Sequence, residues 1–139
     1  MKLDELSAAD RDLVAGALAA REQAYTPYSQ FRVGAALVTG SGRRFSGCNI
    51  ENASYGLTCC AERTAIFKAV SEGRNEFEAI AVIGDTEGVC APCGACRQVM
   101  AEFAPKMRVI IGNLTGQVVT MSVSEILPLA FTPADLEKV

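Results

Sequence analysis

The run Phe77-Glu78-Ala79-Ile80-Ala81-Val82-Ile83 is apolar at every position but one. A stretch of that length without alternation reads as a strand buried on both faces. Such a strand needs a layer on each side, and the flanking sequence offers both. Downstream, Pro92 stands at a favoured first-turn position and predicts a helix to about Phe103, after which Met107 to Ile111 makes a second buried strand. Upstream, Cys60 to Val70 carries Ala61, Ala65, Phe67, Ala69 and Val70 at packing positions, with Gly73 as a C-terminal stop. The strand, helix, strand order implies parallel crossovers.

Further out, Ser7 followed by Asp10 reads as a capping box. Val14, Ala17, Leu18 and Ala24 then recur at helical spacing, which predicts a helix over residues 8–25 that Pro27 ends. Phe31 to Thr39 and Arg43 to Ile50 are strand-like around Gly40-Ser41-Gly42, an antiparallel hairpin. Gly112 to Gln117 is too short for a parallel crossover, so a last strand from Val118 pairs antiparallel. Residues 124–138 read as short helical pieces around Pro128 and Pro133. Together these predict an α/β fold, a three-layer α/β/α sandwich around a mixed five-stranded sheet, in a single domain over residues 1–139.

The chain of 139 residues contains no histidine. A Ser-His-Asp triad, a Cys-His pair, a His base and any imidazole metal site are therefore excluded. Half of the residues are hydrophobic and mean hydropathy is +0.20, too apolar for disorder and rich enough to expect surface covered by other subunits. Net charge is −3, which leaves no basic footprint for nucleic acid or an anionic membrane and favours a small neutral ligand. Met1-Lys2-Leu3-Asp4-Glu5 is acidic where a signal peptide would be basic and then apolar, so a cytoplasmic location is expected.

In that compartment the six cysteines, at 48, 59, 60, 90, 93 and 96, are expected to be thiols or metal ligands. Cys93 and Cys96 lie in the first turn of one helix, three apart, on one face. Cys60 opens the helix before it, and the crossovers can bring both helix starts to one sheet edge. Three thiolates leave one tetrahedral zinc position open, which is the pattern of a catalytic site. Glu62 stands two residues from Cys60, suited to moving a proton beside the metal. Three thiolates and Zn²⁺ sum to −1. Two helix N-termini, together with Arg63 or Arg97 bonding the sulfurs, would offset it. Two other metal readings fit the spacing. Cys90, Cys93 and Cys96 with Cys60 could hold an iron-sulfur cluster, or a structural zinc could take a fourth ligand from Cys48, Cys59 or Cys90.

Cys60-Ala61-Glu62 with Pro92-Cys93-Gly94-Ala95-Cys96 resembles the paired motifs of zinc-dependent cytosine and cytidine deaminases. Tyr28-Ser29-Gln30-Phe31, Val33-Gly34-Ala35-Ala36, Asn49-Ile50-Glu51-Asn52-Ala53 and Ser54-Tyr55-Gly56-Leu57 are similar to the small homotetrameric cytidine deaminases. The resemblance runs from about Tyr28 to Phe131. The doublet Cys59-Cys60 and the extra Cys90 depart from it.

The resemblance implies one Zn²⁺ per subunit on Cys60, Cys93 and Cys96, and hydrolytic deamination of cytidine and 2′-deoxycytidine with release of ammonia. Glu62 would carry the water proton to ring N3 and then a proton to the leaving amino group. It implies sugar binding by Asn49 and Glu51, which are two apart at a strand end and so share a face. It implies nucleoside contact at Phe31 and a base-carbonyl contact at the Ala61 N–H. It places Phe131 in a neighbouring subunit's site within a homotetramer. Deoxycytidylate and tRNA deaminases carry His where this chain has Cys60. Blasticidin-type deaminases share the three cysteines but lack the Glu51 acid, and are the alternative activity.

Overall fold

The computed structural model describes residues 1–137. It contains a five-stranded sheet of β1 (Val33–Thr39), β2 (Arg44–Cys48), β3 (Phe77–Gly84), β4 (Arg108–Asn113) and β5 (Val118–Ser122) in the order β2-β1-β3-β4-β5. The helices are α1 (Ala8–Arg21), α2 (Ala61–Ser71), α3 (Gly94–Phe103) and the short α4 (Val123–Ile126) and α5 (Pro133–Leu136). β1 is antiparallel to both β2 and β3, so β2 and β3 run the same way with β1 between them. β3 and β4 are parallel neighbours, and β5 returns antiparallel. Both expected crossovers are present, through α2 and α3.

β3 is buried on both faces, as its unbroken apolar run requires. Ile80 and Val82 face α2 and α3 with Leu37, Ile66, Met100 and Val109. Ala79, Ala81 and Ile83 face α1 with Leu13, Val14, Ala17 and Ile110. Bare glycine sets how closely the helices approach. A Cβ on Gly47 of β2 would sit 2.6 Å from the Ala65 nitrogen and 2.7 Å from the Ala61 oxygen, so the start of α2 rests directly on the strand.

Several boundaries differ from expectation. α1 stops at Arg21 because the Tyr25 N–H bonds the Asn49 carbonyl and the Glu51 N–H bonds the Tyr25 carbonyl, drawing this segment into strand-like pairing. The Ser7–Asp10 box forms only by half. The Ser7 hydroxyl accepts from the Asp10 N–H at 3.2 Å, but the short Asp10 carboxylate instead pairs with Arg108 at 2.8 Å. Pro92 lies before α3 rather than in its first turn, since Cys93 is the N-cap. Cys60 likewise caps α2 instead of belonging to it. Phe31 precedes β1, and Asn49 follows β2. Of the predicted tail, residue 138 lies outside the described residues.

Candidate active site

The starts of α2 and α3 meet at one edge of the sheet, each with a cysteine at its N-cap. Cys60 Sγ lies 3.7 Å from Cys93 Sγ, and Cys93 Sγ lies 3.4 Å from Cys96 Sγ. All three sulfurs fall within 4.8 Å of one another. Tetrahedral zinc with Zn–S bonds of about 2.3 Å separates its sulfurs by about 3.8 Å, so the trio fits that ion.

Cys48, Cys59 and Cys90 do not join this cluster. The Cys59 thiol turns to its own side, accepting from the Thr64 hydroxyl at 3.5 Å. Cys90 is buried over Gly84, where an added Cβ would lie 2.5 Å from its sulfur. Burial first, and then the charge of Glu62, push the Cys90 thiol up to about 11. The spacing of Cys90, Cys93 and Cys96 therefore does not become a shared cluster in three dimensions.

Charge compensation falls to Arg63 alone of the two arginines. Its Nη2 donates to Cys60 Sγ at 3.3 Å, whereas Arg97 turns from the sulfurs to the carbonyls of Pro92 and Ile126. Helix spacing does not separate the two, since Arg63 is three residues from its cap Cys60 and Arg97 four from its cap Cys93. The carbonyls of Pro92 and Ile126 take up the Arg97 donors instead. Cys60 is brought down to about 5, first by hydrogen bonding from the Cys96 thiol and, against the opposing effect of burial, by Arg63 and Cys93. Cys96 moves the other way, held up by its bond to Cys60 and by burial. Helix N-termini add positive potential from two sides.

Glu62, second residue of α2, is only 4% exposed. Burial is the main reason its carboxyl is held above the usual range, so it retains a proton more readily than a surface glutamate. It lines a pocket of about 180 Å³ with Phe31, Asn49, Cys60, Ala61 and Cys93. Ala61 begins α2, where the helix leaves its N–H without an internal acceptor. Gln30 takes left-handed backbone (φ 58°) directly before Phe31, turning the chain into the pocket wall.

Asn49 and Glu51 share a side, as their spacing predicts, but both already grip the segment 28–33. The Asn49 amide accepts from the Val33 N–H at 2.9 Å and donates to the Phe31 carbonyl at 2.7 Å. The Glu51 carboxylate accepts from the N–H groups of Tyr28 and Ser29 at 3.0 and 3.2 Å and from the Ser29 hydroxyl. Glu51 lines an adjoining cavity of about 390 Å³ with Tyr28 and Tyr55 rather than the thiol pocket itself. Thr58 borders both cavities, and no sequence signal singled it out. Phe131 lies outside both lining sets and is 60% exposed.

A three-layer sandwich with three thiols and a buried carboxyl at two converging helix starts defines a zinc-site hydrolase. The model of the cytidine and deoxycytidylate deaminase zinc-binding region matches residues 7–113, and the chain belongs to that family. A cytidine deaminase of Halalkalibacterium halodurans is 58% identical over 125 residues, covering 89% of this chain and 95% of that enzyme. Another, from Sporosarcina psychrophila, is 55% identical over 89% of this chain and 92% of its own. The crystal structure of cytidine deaminase from Burkholderia pseudomallei superposes with a TM-score of 0.86 at 54% identity, covering 91% of this chain and all of that one.

Proposed function

We propose that this protein hydrolyses cytidine and 2′-deoxycytidine to the corresponding uridines and ammonia. The single observation that carries the reading is the pocket in which the buried Glu62 carboxyl and two of three clustered thiols face the same space as Phe31 and Asn49. Cys60, Cys93 and Cys96 would hold one zinc per chain, and zinc when bound makes water acidic enough to attack near neutral pH. Glu62 takes the proton of the attacking water and delivers it to ring N3. It then passes a proton to the amino group leaving C4, which balances water consumed against ammonia released. Arg63 holds Cys60 as thiolate, and Ala61 N–H is free to bind the base carbonyl. Phe31 forms an apolar wall, and the hydrogen-bonding capacity that Asn49 and Glu51 retain serves the sugar hydroxyls.

The reading extends to a single catalytic domain that assembles as a cytoplasmic homotetramer. Exposed Tyr55, Leu57, Leu129 and Phe131 support subunit contacts, with Phe131 in the neighbour's site. Among the described residues no helix is long and apolar enough to cross a membrane. Light scattering on a sizing column reads the assembly.

The activity is tested by incubating zinc-loaded protein with cytidine, deoxycytidine, cytosine, dCMP and blasticidin S while following ultraviolet loss and ammonia. Turnover of both nucleosides is expected. Absence of turnover with either one overturns the assignment, and turnover of blasticidin S alone transfers it to the other activity.

A further inference from the structure

The three sulfurs are fixed unequally. Cys96 is buried in the core, and Cys60 is held by Arg63. Cys93 is exposed, and as an N-cap it makes no side-chain capping bond. Its position therefore depends on the backbone that presents it. The peptide immediately before it is held from one place: Arg97 Nε donates to the Pro92 carbonyl at 2.8 Å. The same guanidinium donates through Nη1 to the Ile126 carbonyl at 2.7 Å, at the end of α4. The next residue, Gln98, donates its amide to the Phe131 carbonyl at 2.6 Å. Between those two anchors Leu127 and Ala130 pack partly against the core, while Pro128 and Leu129 are exposed, Leu129 in left-handed backbone (φ 55°).

We propose that Arg97 and Gln98 are positioning residues that clamp the tail segment 126–131 to the loop presenting Cys93. The tail thereby becomes part of the frame of the metal site. A guanidinium suits this role because its donors are set in a rigid plane, so two carbonyls from distant parts of the chain are held at a fixed separation. Both bonds are charge-assisted and partly shielded from solvent, which makes them stronger than ordinary amide contacts. The inference rests on Cys93 being a metal ligand.

The test compares zinc-loaded wild type with Arg97→Met, Arg97→Lys and Gln98→Ala, challenged with a chelator and a colorimetric zinc reporter. Arg97→Met should lose zinc about 10- to 100-fold faster, the range seen when an outer partner of a metal ligand is removed. Arg97→Lys, which keeps a charged donor for one carbonyl, should recover part of that loss. Gln98→Ala should speed proteolysis within 126–131 and quicken zinc loss severalfold. Ile110→Val, a core change on the opposite face of the sheet, should lower the melting temperature without quickening zinc loss. A folded Arg97→Met that releases zinc within twofold of wild type overturns the clamp. If Arg97→Met does not fold, wild-type zinc retention by both Arg97→Lys and Gln98→Ala overturns it. Wild type that takes up no zinc overturns the metal-site reading instead.

Discussion

Arg63 Nη2 donates to Cys60 Sγ at 3.3 Å, from the third residue of α2 back to its N-cap. The arrangement inverts a capping box, in which an acid at this position reaches back to the cap's N–H. Here a cation reaches back to an anionic cap. The Nε of the same guanidinium is buried without an acceptor, so the side chain is kept there for charge rather than for complete hydrogen bonding.

Arg63→Ala should therefore weaken zinc binding about 10- to 100-fold while the chain stays folded. Chelator competition measures it. Unchanged affinity would remove Arg63 from the site's charge balance.

Glu62→Gln keeps the shape of the side chain and removes its capacity to take a proton. Turnover of cytidine should fall at least about 10² to 10⁴-fold. Zinc content by atomic absorption should stay at one per chain. Normal deamination by this variant would contradict the proton route through Glu62.

Asn49→Ala strands the Val33 N–H and the Phe31 carbonyl, which together hold the pocket wall. The expected cost is about 1 to 3 kcal/mol of stability, read by denaturant unfolding, together with a raised KM. A raised KM without loss of stability would mean that the amide serves the ligand alone.

Glu51 is held below the ordinary carboxylate range, first by the Ser29 hydroxyl and then by the backbone N–H groups of Ser29 and Tyr28. Because the folded form is the more acidic, its contribution to stability is present above the unfolded pKa and is lost as pH falls through the lowered folded value. Ser29→Ala should move the Glu51 titration upward toward the unfolded value, followed by carboxyl carbon NMR. The share of stability lost on acidification that Glu51 contributes should shrink in the variant, because its folded and unfolded values converge.

Gly47→Ala forces a methyl against the first turn of α2. Overpacking of this kind costs about 1 to 3 kcal/mol, so the melting temperature should fall. Displacement of Cys60 should weaken zinc binding as well. An unshifted melting temperature would mean that the helix start yields freely.

The sequence by itself determined the elements and the chemistry at hand. Periodicity is a local property, so the apolar run 77–83 already required two covering layers. The absence of histidine already excluded an imidazole ligand or base and left those tasks to thiolates and carboxylates. Tertiary structure alone decided which groups meet. The motifs single out Cys60, Cys93 and Cys96 but leave Cys48, Cys59 and Cys90 open as further ligands until the starts of α2 and α3 converge and Cys90 settles over Gly84. Arg63 and Arg97 are equal candidates in sequence, and the fold separates them by bringing the Pro92 and Ile126 carbonyls to Arg97 while Arg63 stays at the sulfur. Asn49 and Glu51 share a side by simple alternation, but their bonds to residues 28–33 arise from chain brought back across the sheet edge. Contacts of that kind depend on direction and distance in space, which residue order does not carry.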